Sequence, residues 1–501
     1  MLWTVTADEH RIVIVGSGFS GLGLAIRLKQ EGIHDFVILE RADAVGGTWR
    51  DNTYPGCACD IASHLYSFSF APNPDWSRSH SGQAEIWAYL ERCARDHGIL
   101  PHIRFGAEMT ESAWEADRQR WRVQTTRGEV HGRILVVATG GLSEPATPDL
   151  PGVERFQGPA FHSARWDHGH DLTAERVAVV GTGASAIQFV PQIQPRVARL
   201  SLFQRTPPWI VPRGDRAIPD WQRRLYRGVP VTRRLRRAAI YAMNEAAVPA
   251  FMHPRLAEVV ERVVAGHLRK HVPDPALRAK LTPDYRMGCK RVLVSDDYYP
   301  AVTGPNVDVV TSRIAEVRPR SIVTAGGAEH PADTIIFGTG FHVTDLPVAQ
   351  RLRGRDGRLL SEHWHGSPQA YKGTTTAGFP NAFILVGPNT GLGHNSVVYM
   401  LESQLRYVLD ALRAMERRGV AELEVRPEAQ AAFNAEVQDR MRGTVWTAGG
   451  CVSWYLDPQG RNTTLWPGAT WRFRRATRRF DPAAYALRGP VERPAPVLAP
   501  A

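Results

Sequence analysis

Lys290 and Arg291 stand side by side in an apolar context. Two neighbouring cations near a nucleotide would be satisfied by a phosphate and by an oxyanion that develops during a reaction. An ordinary solvated pair at a strand end is the plainer reading, and this stretch alone leaves both open. Asp60 closes a second stretch of interest, AVGGTWRDNTYPGCACD at 44–60. Three glycines, a proline and no periodicity make it a loop. Its aromatic Trp49, its Tyr-Pro-Gly turn and its terminal acid suggest contact with a ligand. Two further charges end short apolar runs: Glu40 after Val37–Leu39, and Arg205 with Thr206 after the run from Arg199 to Gln204.

Those charges need elements to position them. Arg11–Val15 is apolar and β-branched, which predicts a buried parallel strand. Gly16, Ser17, Gly18, Phe19, Ser20 and Gly21 follow in GxGxxG spacing, and Leu22–Gln30 reads as a helix. Gly16 permits the tight turn, Gly18 lets a pyrophosphate approach the backbone, and Gly21 lets helix and strand pack closely. The free amides at the helix N-terminus then hold the diphosphate. Glu40 ends the next strand, where a carboxylate accepts the hydroxyls of an unphosphorylated ribose, as in FAD or NAD. Strand, turn, helix, strand and acid together make this a dinucleotide site.

The pattern recurs. Arg176–Gly183, RVAVVGTG, is a second strand and turn. Gly181, Thr182, Gly183, Ala184, Ser185 and Ala186 form GxGxxA, and Gln188 lies in the helix that follows. The next strand ends on Arg205 where the first site ended on Glu40. A cation there suits a 2′-phosphate and so NADPH. Arg133–Gly140 and Thr334–Phe341 each read as a buried strand with a glycine turn, closing the two units. The expected fold is α/β, with two Rossmann-like dinucleotide-binding domains, for FAD and NADP, and a helical insert in the second. Residues 1–141 are the first part of the FAD domain and 142–343 the NADP domain, with the insert at about 213–286. Residues 344–488 are the second part of the FAD domain, and the Pro-rich 489–501 form a disordered tail.

Trp121–Thr125 and Glu129–His131 read as hairpin strands. GPNTGLGHNS at 387–396 opens a helix from Val397 to Met415, and a helix N-terminus there fits a flavin. Leu235–Met252 is the most apolar part of the Arg-rich insert. A membrane-surface helix is conceivable there, but Pro249 and Pro254 break it early and favour a packed lid or substrate-pocket helix.

Composition narrows the class. The 501 residues suffice for two or three domains. The net charge of +11 is carried largely by arginine and is not gathered in a tail. No motif for nucleic acid accompanies it, and no metal site is read. Five cysteines argue against a disulfide framework and for a reducing cytoplasm. Cys57 and Cys59 are spaced CxC and read as small buried residues. Leu2–His10 has no signal-peptide pattern, and no stretch approaches a span of about twenty apolar residues.

Several motifs together resemble the Baeyer–Villiger monooxygenases, of the class B flavoprotein monooxygenases. FQGPAFHSARWD at 156–167 is similar to the fingerprint FxGxxxHxxxW[P/D], through Phe156, Gly158, His162, Trp166 and Asp167. GGTWRDNTYPGCACD is similar to the second signature, through Gly47, Trp49, Tyr54, Pro55, Gly56 and Asp60. The close of the chain, GCVSWYLDPQGRNTTLWPG, resembles the hydroxyacetophenone-monooxygenase-like branch.

The resemblance implies an NADPH- and O2-dependent enzyme that inserts one oxygen beside a ketone carbonyl through a C4a-peroxyflavin, giving an ester or lactone. It implies that Arg291 is the active-site cation and Asp60 the acid that orients it. Arg205 and Thr206, assisted by Lys290, read the 2′-phosphate. Trp454 closes over the nicotinamide half, and Tyr66 and Met400 lie against the flavin. It places Gly16–Gly21, Glu40, Arg41, Gly47, Thr48, Trp49 and Asn389 with FAD, and Gly181–Ala186 and Gln188 with NADP. His162 is implied to be a linker residue and not a catalytic one. The partners expected are a small ketone and O2, with no integral membrane association, in a cytoplasmic monomer or homodimer. Sulfide or amine oxygenation, and a flavin-dependent NADPH oxidase or reductase, are the competing activities. The fingerprint ending in Trp-Asp speaks against the first.

Overall fold

The computed structural model describes residues 8–490. The expectations for Leu2–Ala7 and for the tail beyond Pro490 lie outside them. Asp8–Val15 runs through the middle of an eight-stranded sheet, parallel to Phe36–Leu39 on one side and Gly128–Val137 on the other. Both faces are covered, so Ile12, Val13 and Ile14 are fully buried, as an unbroken apolar run requires. Phe19–Gln30 packs between the helices Gln83–Asp96 and Val397–Arg418.

Met109–Glu115 and Arg120–Thr125 extend the sheet in antiparallel fashion. The expected strands at 129–131 and 133–140 are one continuous strand, Gly128–Val137. Gly132 joins them: a Cβ there would sit 2.6 Å from Val13 Cγ2, so only glycine lets the strand pass unbroken. The chain returns to this sheet late, when Ala382–Ile384 pairs with Leu135–Val137.

A second sheet is wholly parallel. Its order is Val307–Val310, Arg199–Phe203, Arg176–Val180, Thr334–Phe337 and Ala160–His162. FQGPAFHSARWD forms its last edge. Gly158 is obligatory there, because a Cβ would stand 1.9 Å from the Asp333 carbonyl oxygen. Trp166 packs between Phe161 and Phe189, each 5.3 Å away, and Asp167 accepts from the Gly169 amide. His162 is buried, accepts from the Ala164 amide and meets the ring of Phe341. It touches none of the groups described below as the site. Gly158→Ala is expected to lower stability by about 2–3 kcal/mol through backbone displacement at this edge; thermal unfolding of the variant checks it.

Within the second unit, between its strands Arg199–Phe203 and Val307–Val310, lie the insert helices Asp220–Gly228, Pro230–Glu245, Val248–Met252, Pro254–His271 and Pro275–Leu281. Leu235–Met252 is packed as a broken segment, with Phe251 and Met252 against the cluster of Trp446 and Tyr455, but on one side only. Only one face of Pro230–Glu245 is covered: Ile240 is buried, whereas Leu235 is 64% and Met243 69% exposed. On the covered face Arg237 donates to the carbonyls of His64 (2.8 Å) and Ser67 (2.9 Å). Glu245 accepts from Asn395 (2.7 Å) and Thr470 (2.6 Å). Among the described residues, no helix is long and apolar enough to cross a membrane.

His64, beneath this helix, is buried, and burial with the charges of Arg236, Arg233 and Arg237 pushes its pKa down to about 4. The unfolded chain takes up that proton near 6.5, so it binds more protons than the folded chain between the two values. Stability is therefore expected to fall as pH drops from about 6.5 towards 4, and His64→Gln to flatten that fall, measured by urea unfolding across the range.

Candidate active site

The two glycine turns open on one cavity of about 1430 Å³, larger than the roughly 300–1,000 Å³ of a single small-ligand pocket. Gly16 (φ +102°) and Gly181 (φ +105°) start the turns at the carboxyl ends of the central parallel strands. Cβ atoms there would lie 2.8 Å from the Ala138 carbonyl oxygen and 2.5 Å from that of Gly338. Ser17, Gly18, Phe19 and Ser20 line the first part of the cavity; Thr182, Gly183, Ala184 and Ser185 line the second. Gly21 and Ala186 sit behind the wall. A Cβ on Gly21 would be 1.9 Å from the Gly16 oxygen, and the buried Ala186 packs against Gly338. Both are packing positions.

Glu40 is buried at the end of its strand. It accepts from the Ser17 amide (2.9 Å) and hydroxyl (2.6 Å), the Ala42 amide (3.0 Å) and Arg50 (3.0 Å). Burial opposes its charge, but these bonds and Arg50 outweigh it and hold the carboxyl below its ordinary value. A ribose hydroxyl donating to Glu40 would take the place of the Ser17 hydroxyl. Arg41 pairs with Glu144, Thr48 reaches the Leu142 carbonyl, and Gly47 faces Gly18 across the cleft. Trp49 Nε1 donates to the Tyr66 hydroxyl at 3.0 Å, so both rings stand on the same wall. Arg50, which sequence reading missed, lies inside the second signature as an unassigned position.

Arg291 and Asp60, far apart in sequence, meet at the junction of the two parts. Arg291 Nε (3.1 Å) and Nη2 both donate to Asp60 Oδ2, and Nη1 reaches the Leu392 carbonyl at 3.4 Å. The carboxylate pushes the guanidinium pKa further up against burial. Burial would raise Asp60, but Arg291 overcomes it and holds the acid below its ordinary value. Tyr455, also missed, is 1% exposed, and its hydroxyl lies beside Arg291. Burial pushes it up to about 12, with the charge of Arg291 opposing. Its neighbour Trp454 is 44% exposed and lines the cavity.

Cys289, next to Lys290, is bonded to Cys451 by a disulfide, contrary to the reading of the cysteines as unbridged. The partners lie 162 residues apart, beyond the reach of any spacing rule. Cys57 and Cys59 are free, as expected, and burial pushes the Cys57 thiol up to about 11.

Lys290 Nζ donates to Thr206 Oγ1 at 3.0 Å and lies 5.1 Å over the Tyr285 ring. Burial and the charge of Arg205 push its pKa down. Neither Lys290 nor Arg205 forms an ion pair among the described residues, and both line the cavity. Two cations held close together without an ion-pair partner are suited to a phosphate dianion. Gln188 accepts from Tyr54 (3.0 Å) and donates to the Ala58 carbonyl (3.0 Å), which ties the loop ending in Asp60 to the second unit.

Two expected contacts fall elsewhere. Met400 is fully buried among Leu392, Val437, Trp466 and Phe473, and the cavity takes Val397, Val398 and Leu401 from that helix. Asn389 is buried and donates to the carbonyls of Asn462 (2.7 Å) and Leu465 (2.9 Å). It pins the C-terminal segment, while Pro388 and Gly391 reach the cavity wall.

Residues 13–233 match the family model described as pyridine nucleotide-disulphide oxidoreductase. A Baeyer–Villiger monooxygenase of Streptomyces coelicolor is 56% identical over 491 residues, covering 97% of this chain and 94% of that one. The chain belongs to the Baeyer–Villiger monooxygenases. A solved steroid monooxygenase bound to NADP superposes with a TM-score of 0.85 at 31% identity, over 96% of this chain and all of that one. A structure described as OTEMO in complex with FAD and NADP gives 0.84 at 27% identity, over 95% of this chain and 99% of that one.

The site fits the two cofactors of a Baeyer–Villiger monooxygenase. The acid-terminated turn suits the FAD ribose and diphosphate, and the Lys290–Arg205 pair suits the extra phosphate of NADP.

Proposed function

We propose that this Baeyer–Villiger monooxygenase uses NADPH and O2 to insert one oxygen atom beside the carbonyl of a ketone, giving an ester or lactone. The observation that carries the reading is Arg291, clamped by Asp60 where the two halves of the cavity meet. Gly16–Ser20 would hold FAD, which would supply the acceptor for the hydride of NADPH and the chemistry that activates O2. The chain supplies the electrostatics. Arg291 stays charged at every working pH and faces the negative charge that grows on the former carbonyl oxygen. Asp60 fixes the direction of that guanidinium. Arg205, Thr206 and Lys290 would hold the 2′-phosphate, and Trp454, on the cavity wall, would cover the nicotinamide half. Val398, Leu401 and Leu392 keep the wall apolar and so exclude water. The enzyme works in the cytoplasm, as a monomer or homodimer.

The test is NADPH consumption by the FAD-loaded enzyme against a panel of ketones and sulfides, with hydrogen peroxide assayed and products identified by mass. Ketone-stimulated turnover to ester with little peroxide is expected. Sulfoxide as the sole product would make it a heteroatom oxygenase, and peroxide alone across the panel an NADPH oxidase; either overturns the reading.

A further inference from the structure

The outer face of the insert is not built for water. On Pro230–Glu245, Val231 (53% exposed), Leu235 (64%) and Met243 (69%) recur at helical spacing and share one face. Alanines 239 and 242 fill that face between them. The opposite face carries Arg237, Ile240 and Tyr241 and is packed against the protein. The preceding helix, Asp220–Gly228, touches this one and exposes Trp221 (66%) and Leu225 (38%). An apolar stripe of this extent on consecutive helices is a contact surface.

Its charge says for what. Between Asp220 and Glu245 there are seven arginines and two carboxylates. Both carboxylates are engaged, Asp220 with Arg223 and Glu245 with Asn395 and Thr470. The exposed Arg224 and Arg234 form no ion pair among the described residues. A second copy docked by this face would set arginines against arginines. Nucleic acid would answer the charge but leave the apolar stripe wet. A bilayer rich in anionic phospholipid answers both, with the tryptophan and aliphatic side chains among the acyl chains and the arginines at headgroup depth.

We propose that the outer faces of Asp220–Gly228 and Pro230–Glu245 dock the enzyme peripherally on an anionic membrane surface. The helix that lies on the lipid has its other face on the site. Arg237 holds the carbonyls flanking Tyr66, and Glu245 holds Asn395 on the cavity wall. Docking thus sets the insert between the bilayer and the cavity.

The test is flotation of the FAD-loaded enzyme with vesicles of phosphatidylcholine alone and of equal parts phosphatidylcholine and phosphatidylglycerol. The enzyme is expected to float only with the anionic vesicles and to be released as salt rises. Trp221→Ser/Leu235→Ser is expected to weaken binding at least about tenfold, and Arg224→Gln/Arg234→Gln about fivefold per charge. Both variants should keep wild-type NADPH turnover, which shows that they fold. No flotation of the wild type, equal flotation of the Ser variant, or a dimer by light scattering that the Ser variant breaks would each overturn the proposal. The last outcome would assign the face to a second copy. None of these results depends on which substrate is oxygenated.

Discussion

Arg291→Ala is expected to keep NADPH-dependent reduction of the bound flavin and to lose ester formation by roughly 100- to 1,000-fold, the range for deleting one donor to a reaction oxyanion. The two half-reactions separate because Arg291 is not part of the dianion site. Arg205, Lys290 and Thr206 remain to hold the nucleotide. The variant also leaves Asp60 without the guanidinium that keeps it ionised against burial. Its pKa then rises, and the carboxylate that remains repels any negative charge growing beside it. Arg291→Lys is expected to recover only part of the rate, since an ammonium cannot reproduce the Nε and Nη2 contacts with Asp60 while reaching the Leu392 carbonyl. Anaerobic stopped-flow reduction and product assay under O2, run on the same preparations, separate the two effects. Ester formation by Arg291→Ala at the wild-type rate would remove Arg291 from the mechanism.

Arg205→Ala is expected to raise KM for NADPH by roughly 10- to 100-fold, since a charge-assisted contact is worth about 1.5–3 kcal/mol. NADH should be almost unaffected, because it has no 2′-phosphate to lose contact with. The Lys290 charge explains why the effect stops short of total loss: its ammonium still stands on Thr206 Oγ1. Relief of the Arg205 charge also lets the pKa of Lys290 climb back towards its ordinary value, which preserves that cation at alkaline pH. Steady-state kinetics with both nucleotides decide the matter. An equal loss for NADH and NADPH would place Arg205 away from the phosphate.

What the chain order reveals of this site follows from how local each signal is. The glycine turns are legible because each needs only a few adjacent residues with fixed backbone demands, and Gly16, Gly21 and Gly181 meet those demands through clashes that any Cβ would cause. Glu40 and Arg205 are legible for the same reason, as ends of strands that follow those turns. Arg291 and Asp60 were found by motif, but their contact bridges 231 residues and only the fold makes it. Met400 was misplaced because a helix shows its period in sequence and hides its phase. Which turn faces the cavity is set by Trp466 and Phe473, which draw Met400 inward. Asn389 was misplaced because a loop amide is equally suited to ligand and backbone, and here the segment 462–465 claims it. The insert showed its helices but not which apolar stripe would be covered, since that depends on Arg237 and Glu245 finding partners more than a hundred residues away.

The late return of the chain to its first sheet has a consequence for biosynthesis. The parallel sheet between Ala160 and Phe337 is contiguous, so all five of its strands leave the ribosome before Ala382–Ile384 does. Until that strand arrives, Leu135–Val137 lack their later neighbour, and the Phe19–Gln30 helix lacks its cover from Val397–Arg418. The domain begun first is finished last. Its apolar surface stays uncovered while the middle of the chain is made, and the Gly16 turn and its helix gain their full packing only after Val397–Arg418 has followed.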